Sequence, residues 1–156
     1  METRDSVSVE LINDLRAFFD AYALNYQVEM AFLYGSWSAG LERGDSDVDV
    51  AVVFGKTVTS ASSDRTFFLI TELSYHLSEQ FKKEVNVISI DNDFSHPMLY
   101  YNAVIAGKPV FIGDNNRYAE LMLEAIYQME DFKIFGIPWQ REAARKNMEG
   151  FNDAGV

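Results

Sequence analysis

Four short apolar runs alternate with longer stretches whose apolar residues recur at helical spacing, and this alternation most limits the fold. The runs are Val28–Tyr34 (VEMAFLY), Val48–Phe54 (VDVAVVF), Val85–Ile90 (VNVISI) and Pro109–Ile112. Each has the length of a strand, and the second is rich in β-branched residues. Between them, Leu11, Leu15, Phe18, Phe19 and Tyr22 mark one face of a helix over Val9–Tyr22. Phe67, Ile70, Leu73, Leu77 and Phe81 mark a second helix. Tyr118, Leu121, Met122, Ala125, Met129 and Phe132 mark the last, which is expected to end near Gly136 and Pro138. Ser95–Ala106 is predicted helical up to Gly107, and Gly55–Ser63 reads as a polar loop. Pro109 cannot donate to a ladder, so the fourth strand belongs at an edge. The order predicts an α/β (α+β) fold, a small mixed sheet covered by helices. It divides the chain into a domain over 1–136 and a C-terminal tail over 137–156.

Composition narrows the function. The chain has 156 residues, 48% hydrophobic and 14% aromatic, enough for a folded core. With 13 Lys+Arg against 24 Asp+Glu the net charge is −11, which argues against direct nucleic-acid binding through phosphate neutralisation. There is no cysteine, which excludes disulfides, thiolate metal sites and a cysteine nucleophile. No apolar run approaches the ~18 residues of a membrane span, and the start METRDSVSVE has no apolar signal region. The expectation is a soluble, cytoplasmic protein.

The segment Leu33–Val53 (LYGSWSAGLERGDSDVDVAVV) carries the chemistry. Gly35 and Ser36 leave the first strand in a turn small enough for backbone amides and a hydroxyl to approach a ligand. If Trp37–Leu41 opens a helix, its first N–H groups form a phosphate seat. Asp47 and Asp49 are separated by one residue, so on a strand they point to one face. Two such carboxylates repel, and a divalent cation resolves the repulsion. Oxygen ligation suits Mg²⁺, which also binds nucleotide phosphates. Val48, Val50 and Val52 are expected to face the core, leaving the opposite, open face to the two aspartates. Asp45 precedes the strand and reads as a loop carboxylate.

Gly35-Ser36, ten residues, then Asp47-Val48-Asp49 resembles the signature of the DNA polymerase β-like nucleotidyltransferases. From Leu11 to about Phe135 the chain looks like the minimal nucleotidyltransferases of that superfamily. The resemblance implies that Gly35 and Ser36 hold the triphosphate of a nucleotide, ATP above all, and that Asp47 and Asp49 bind Mg²⁺. It further implies a third carboxylate on a later strand. Here that strand reads Val85-Asn86-Val87-Ile88-Ser89-Ile90 where the family has roughly Val-Asp-Val-Val-Asp-Leu. The third catalytic position is therefore Asn86, whose carbonyl can ligate but cannot take a proton. Glu84 shares its strand parity, and Asp91 and Asp93 follow the strand; the three are candidate substitutes.

Relatives of this look are paired with HEPN-domain toxins and add AMP to a toxin tyrosine, which implies an antitoxin role with a HEPN-family partner. The acidic charge suits a basic partner surface. Two alternatives stay open. One is an antitoxin that holds nucleotide or partner without turnover, favoured by Asn86. The other is transfer to a cationic aminoglycoside-like small molecule, for which only Ala119–Val156 would be available as an added helical part. The exposed side of the last helix is a candidate surface for a partner or for homo-oligomerisation. Trp37 reads as packing rather than base stacking. Tyr100 and Tyr101 read as core and rim of a helix. His76 and His96 read as surface or cap residues, and Lys108 and Arg43 as solvated charges.

Overall fold

The computed structural model describes residues 4–39, 47–59 and 63–154. In chain order the elements are α1 (Arg4–Tyr26), β1 (Val28–Tyr34), α2 (Ser36–Ala39), β2 (Val48–Phe54), α3 (Lys56–Thr59), α4 (Ser63–Phe81), β3 (Val85–Ser89), α5 (Pro97–Tyr101), β4 (Lys108–Ile112), α6 (Asn115–Asp131) and α7 (Ile137–Ala154). Turns of π-helix at Asn102–Ala106 and Phe132–Gly136 extend α5 and join α6 to α7. The strands lie in the order β3-β2-β1-β4. β1 is antiparallel to both β2 and β4, and β2 is parallel to β3. The fold is thus the expected mixed sheet covered by helices, with the proline-bearing β4 at an edge.

Both faces of the sheet are packed. Ala31, Leu33, Val48, Val50 and Val52 face a first core with Leu15, Phe18 and Phe19 of α1 and Leu69, Leu73 and Leu77 of α4. Met30, Phe32, Ala51 and Val53 face a second core with Tyr100, Ala103, Val104 and Ala125. The face expected to be open is therefore open only at one end, because Ala51 and Val53 are as buried as the valines they alternate with. α4 presents Leu69, Leu73 and Leu77 inward, while Phe67, expected on that face, is 72% exposed.

Three further expectations are corrected. Part of the Gly55–Ser63 loop is the short helix α3, whose Val58 is buried. His76 lies inside an aromatic group, with Phe18 and Tyr22 edge-on to its ring and the Tyr26 hydroxyl 2.7 Å from Nδ1. The helix after β4 does not stop at Gly136: a π turn absorbs the glycine, and α7 carries the chain on through Pro138, which stands in the first turn where its missing N–H costs nothing. Among the described residues no helix is long and apolar enough to cross a membrane.

Candidate functional site

The open end of the second face is where three strands bring their polar residues together. Register puts Tyr34 of β1 opposite Asp49 of β2, and Asp49 opposite Asn86 of β3. These three therefore form one row across the sheet. Strand alternation aims them to the same side as Phe32, Ala51 and Ile88. The row is held from behind. Val48 N donates to the Glu84 carbonyl at 2.9 Å, and Val85 N donates to Ser78 Oγ at 3.0 Å. Ser74 Oγ donates to the Val85 carbonyl at 2.5 Å. The serines of α4 thus fix where β3 starts, and with it Asn86.

Gly35 closes the row. Its φ is +77°, in the left-handed region that glycine alone enters freely. A Cβ built there would stand 2.5 Å from Asp49 Oδ2, closer than real atoms approach. Glycine is thus required twice, by the turn and by the carboxylate pressed against it. Ser38 Oγ donates to the Gly35 carbonyl at 3.0 Å and holds the turn. Ser36 opens α2 directly after it.

Asp49 is half-buried and Asp47, one residue before β2, is exposed. Burial pushes the Asp49 carboxyl above its usual range. The Asn86 amide, donating to Asp49 Oδ1 at 3.5 Å, pulls it back, and the Asp47 charge pushes it up again. Tyr34 is raised to about 12, first by burial and then by the Asp49 charge beside it, so its hydroxyl stays protonated. The half-buried Asp49 carboxylate and the exposed Asp47 carboxylate therefore raise the negative potential at this end of the sheet, which is the chemistry of a cation seat. Two carboxylates and an amide are an oxygen donor set that fits a hard divalent ion. Among the described residues no group of three or more His, Asp or Glu side chains gathers as a metal cluster, since the third member of the row is Asn86.

The residues expected from sequence are thus placed as follows. Gly35, Asp49 and Asn86 are in contact or in register, with Ser36 and Asp47 beside them. Asp91 and Asp93 are not brought here: they follow the far end of β3, and Asp91 is engaged by the Ser95 backbone N–H and hydroxyl and by the Tyr100 hydroxyl. Glu84 remains at the near end. Asp45 and Arg43 lie outside the described residues. Tyr34 was missed; its signal was its place as the last strand residue before Gly35.

Residues 15–116, more than half the chain, match the family model described as polymerase beta, nucleotidyltransferase. The chain belongs to this family of nucleotidyltransferases. A protein of Methanocaldococcus jannaschii named as a protein adenylyltransferase is 27% identical over 88 residues, covering 56% of this nucleotidyltransferase and 85% of the relative. Among solved structures, a toxin–antitoxin with AMP-PNP superposes with a TM-score of 0.62 at 16% identity, over 86% of this chain and 98% of the other. A chain from a tri-AMPylated Shewanella oneidensis HEPN toxin in complex with its MNT antitoxin gives 0.59 at 14% identity, over 88% and 98%. At these identities the likeness is one of fold.

Proposed function

We propose that this nucleotidyltransferase moves AMP from Mg²⁺-bound ATP to a tyrosine hydroxyl of a HEPN-type partner protein, acting in the cytoplasm as an antitoxin. In this reading residues 1–136 form the transferase domain and 137–156 an appended segment. The observation that carries it is the close approach of Gly35 to the Asp49 carboxylate, since it sets the glycine–serine turn directly against one of the two carboxylates that would bind the cation. The relative named as a protein adenylyltransferase supports the adenylyl group and a protein acceptor. The structural neighbours, one with an ATP analogue and one with an AMPylated HEPN toxin, support the nucleotide and the partner.

Asp47 and Asp49 would hold the magnesium, which when bound neutralises phosphate charge and stabilises the leaving pyrophosphate. Gly35 and Ser36 orient the β and γ phosphates through backbone N–H groups and the serine hydroxyl. The acceptor oxygen attacks the α-phosphorus, the bond to the bridging oxygen of the β-phosphate breaks so that pyrophosphate leaves, and the hydroxyl proton leaves to solvent. Asn86 cannot take that proton, and it instead holds Asp49 in place. A phenol, with a pKa of about 10, gives up its proton far more readily than an aliphatic alcohol, which suits a site with an amide in this position.

Asn86 also favours a second reading, in which the protein binds nucleotide and partner without turnover. Labelled ATP, Mg²⁺ and the partner decide between them. Label on a partner tyrosine is the expected result; a tight complex that stays unlabelled would establish the second reading and end the first.

A further inference from the structure

The turn that meets the nucleotide has an anchor on the other face of the sheet. α2 is four residues long, too short to hold itself by its own hydrogen bonds. Its Trp37 is 2% exposed and belongs to the first core, whereas Gly35, two residues earlier, presses on Asp49 on the second face. The chain thus crosses the end of the sheet between them, with Ser36 at the crossing. The Lys83 ammonium stands 5.1 Å from the centroid of the Trp37 ring, a cation–aromatic distance. Lys83 lies between α4 and β3, three residues before Asn86. With Leu11, Phe81, Glu10 and Asp14 the pair lines a small cavity of about 160 Å³ behind the turn.

We propose that the Trp37–Lys83 contact is a clasp tying the glycine–serine turn to the start of β3, so that Ser36 and Asn86 keep one spacing across the strand that bears Asp49. Trp37 and Lys83 are then positioning residues for nucleotide binding. The inference rests on the reading of Gly35 and Ser36 as phosphate-holding. Loss of the ammonium leaves Trp37 buried, so the fold survives. The ring loses the cation over its face, and the turn above it loosens. The fold tolerates the loss, and nucleotide affinity reports it.

The chain has two tryptophans, so in a Trp139→Phe background Trp37 emission alone reports binding of Mg²⁺-ATP, with no acceptor needed. Lys83→Met, which keeps an apolar stem over the ring, is expected to weaken binding about threefold to tenfold while the melting temperature falls by no more than about 5 °C. Lys83→Arg, which restores a cation on the ring, is expected to return the affinity to within about twofold. Equal affinity for Lys83→Met and its parent would overturn the clasp, as would an affinity loss that arginine does not repair. A parent that binds no Mg²⁺-ATP would instead remove the phosphate reading of the turn, and the clasp with it.

Discussion

The two faces of β2 are built from neighbouring residues and serve different ends. Val48, Val50 and Val52 are fully buried under α1 and α4. Asp49, Ala51 and Val53 point the other way, and only the last two are sealed, by α5 and α6. One strand thus carries an apolar face along its whole length and, on the reverse, a face that stops being core at Asp49. Stability and reaction are separable to the extent that this division holds.

The largest effect expected is on the reaction. Asp49→Ala removes one of the two carboxylates assigned to the cation and should lower AMP transfer about a hundredfold to a thousandfold, the scale of losing a group that handles transition-state charge. The circular dichroism spectrum should be unchanged. Measurable transfer near the parent rate would refute the assignment. Its counterpart on the other face is Leu73→Ala, at a fully buried position of α4. It should cost about 2–5 kcal/mol in denaturant unfolding, while transfer per folded molecule stays near normal. A lost reaction with a retained fold there would show that the faces are not independent.

Gly35→Ala tests the seam between them. It imposes strain at φ +77° and drives a methyl into Asp49, so both stability and transfer should fall, stability by roughly 1–3 kcal/mol. A variant that lost transfer alone would mean that the turn shifts at no cost.

Much of this arrangement was legible in the chain. β1 and β2 stand where the apolar runs placed them and β4 starts one residue earlier, because short apolar runs flanked by glycine leave little choice. The approach of Gly35 to Asp49 was legible because spacing and strand parity are local quantities, whereas Asn86 was named only through the family resemblance, and its register opposite Asp49 is a tertiary fact. Phe67 was misread because α4 carries apolar residues on two sides, and periodicity does not say which side meets the sheet. The half-sealing of the second face was hidden for a related reason: Asp-Val-Asp-Val alternation is broken by Ala51, a residue small enough to pass for either environment. The continuation into α7 was missed because Gly136 and Pro138 are stop signals that a π turn and a first-turn proline accommodate. The Trp37–Lys83 pair is a product of tertiary approach, with no signal of its own in the spacing.

Smaller effects concern charge. Burial and Asp47 raise the Asp49 carboxyl above its unfolded value, so the folded protein binds its proton more readily than the unfolded chain does. Stability should then fall as pH rises from the ordinary carboxylate range through the raised value, and stay lower above it. Asp49→Asn should remove that decline and leave the metal-free protein equal to or slightly more stable than the parent at neutral pH, by about 1–2 °C in melting temperature. Asn86→Asp should deepen the decline, because an amide donor is replaced by a third like charge. Added Mg²⁺ should recover the loss. Thermal melts from pH 4 to 8 with and without Mg²⁺ measure both, and an unchanged Asn86→Asp profile would mean that Asn86 does not face Asp49 in solution.

The smallest effect is expected on α6, where the contrast of faces recurs without chemistry. Ala125 is fully buried against the second core, whereas Leu123 and Tyr127 on the same helix are largely exposed. A side chain already in water has little transfer energy to lose, so Tyr127→Ser should change unfolding free energy by no more than about 0.5 kcal/mol. Ala125→Ser, which places an unpaired hydroxyl in the core, should cost about 1–3 kcal/mol. If Tyr127→Ser instead cost more than ~1 kcal/mol, and the cost diminished on dilution, the outer face of α6 would be covered in solution by another chain. The division between a sealed and an open face would then describe the isolated protein and not its working assembly.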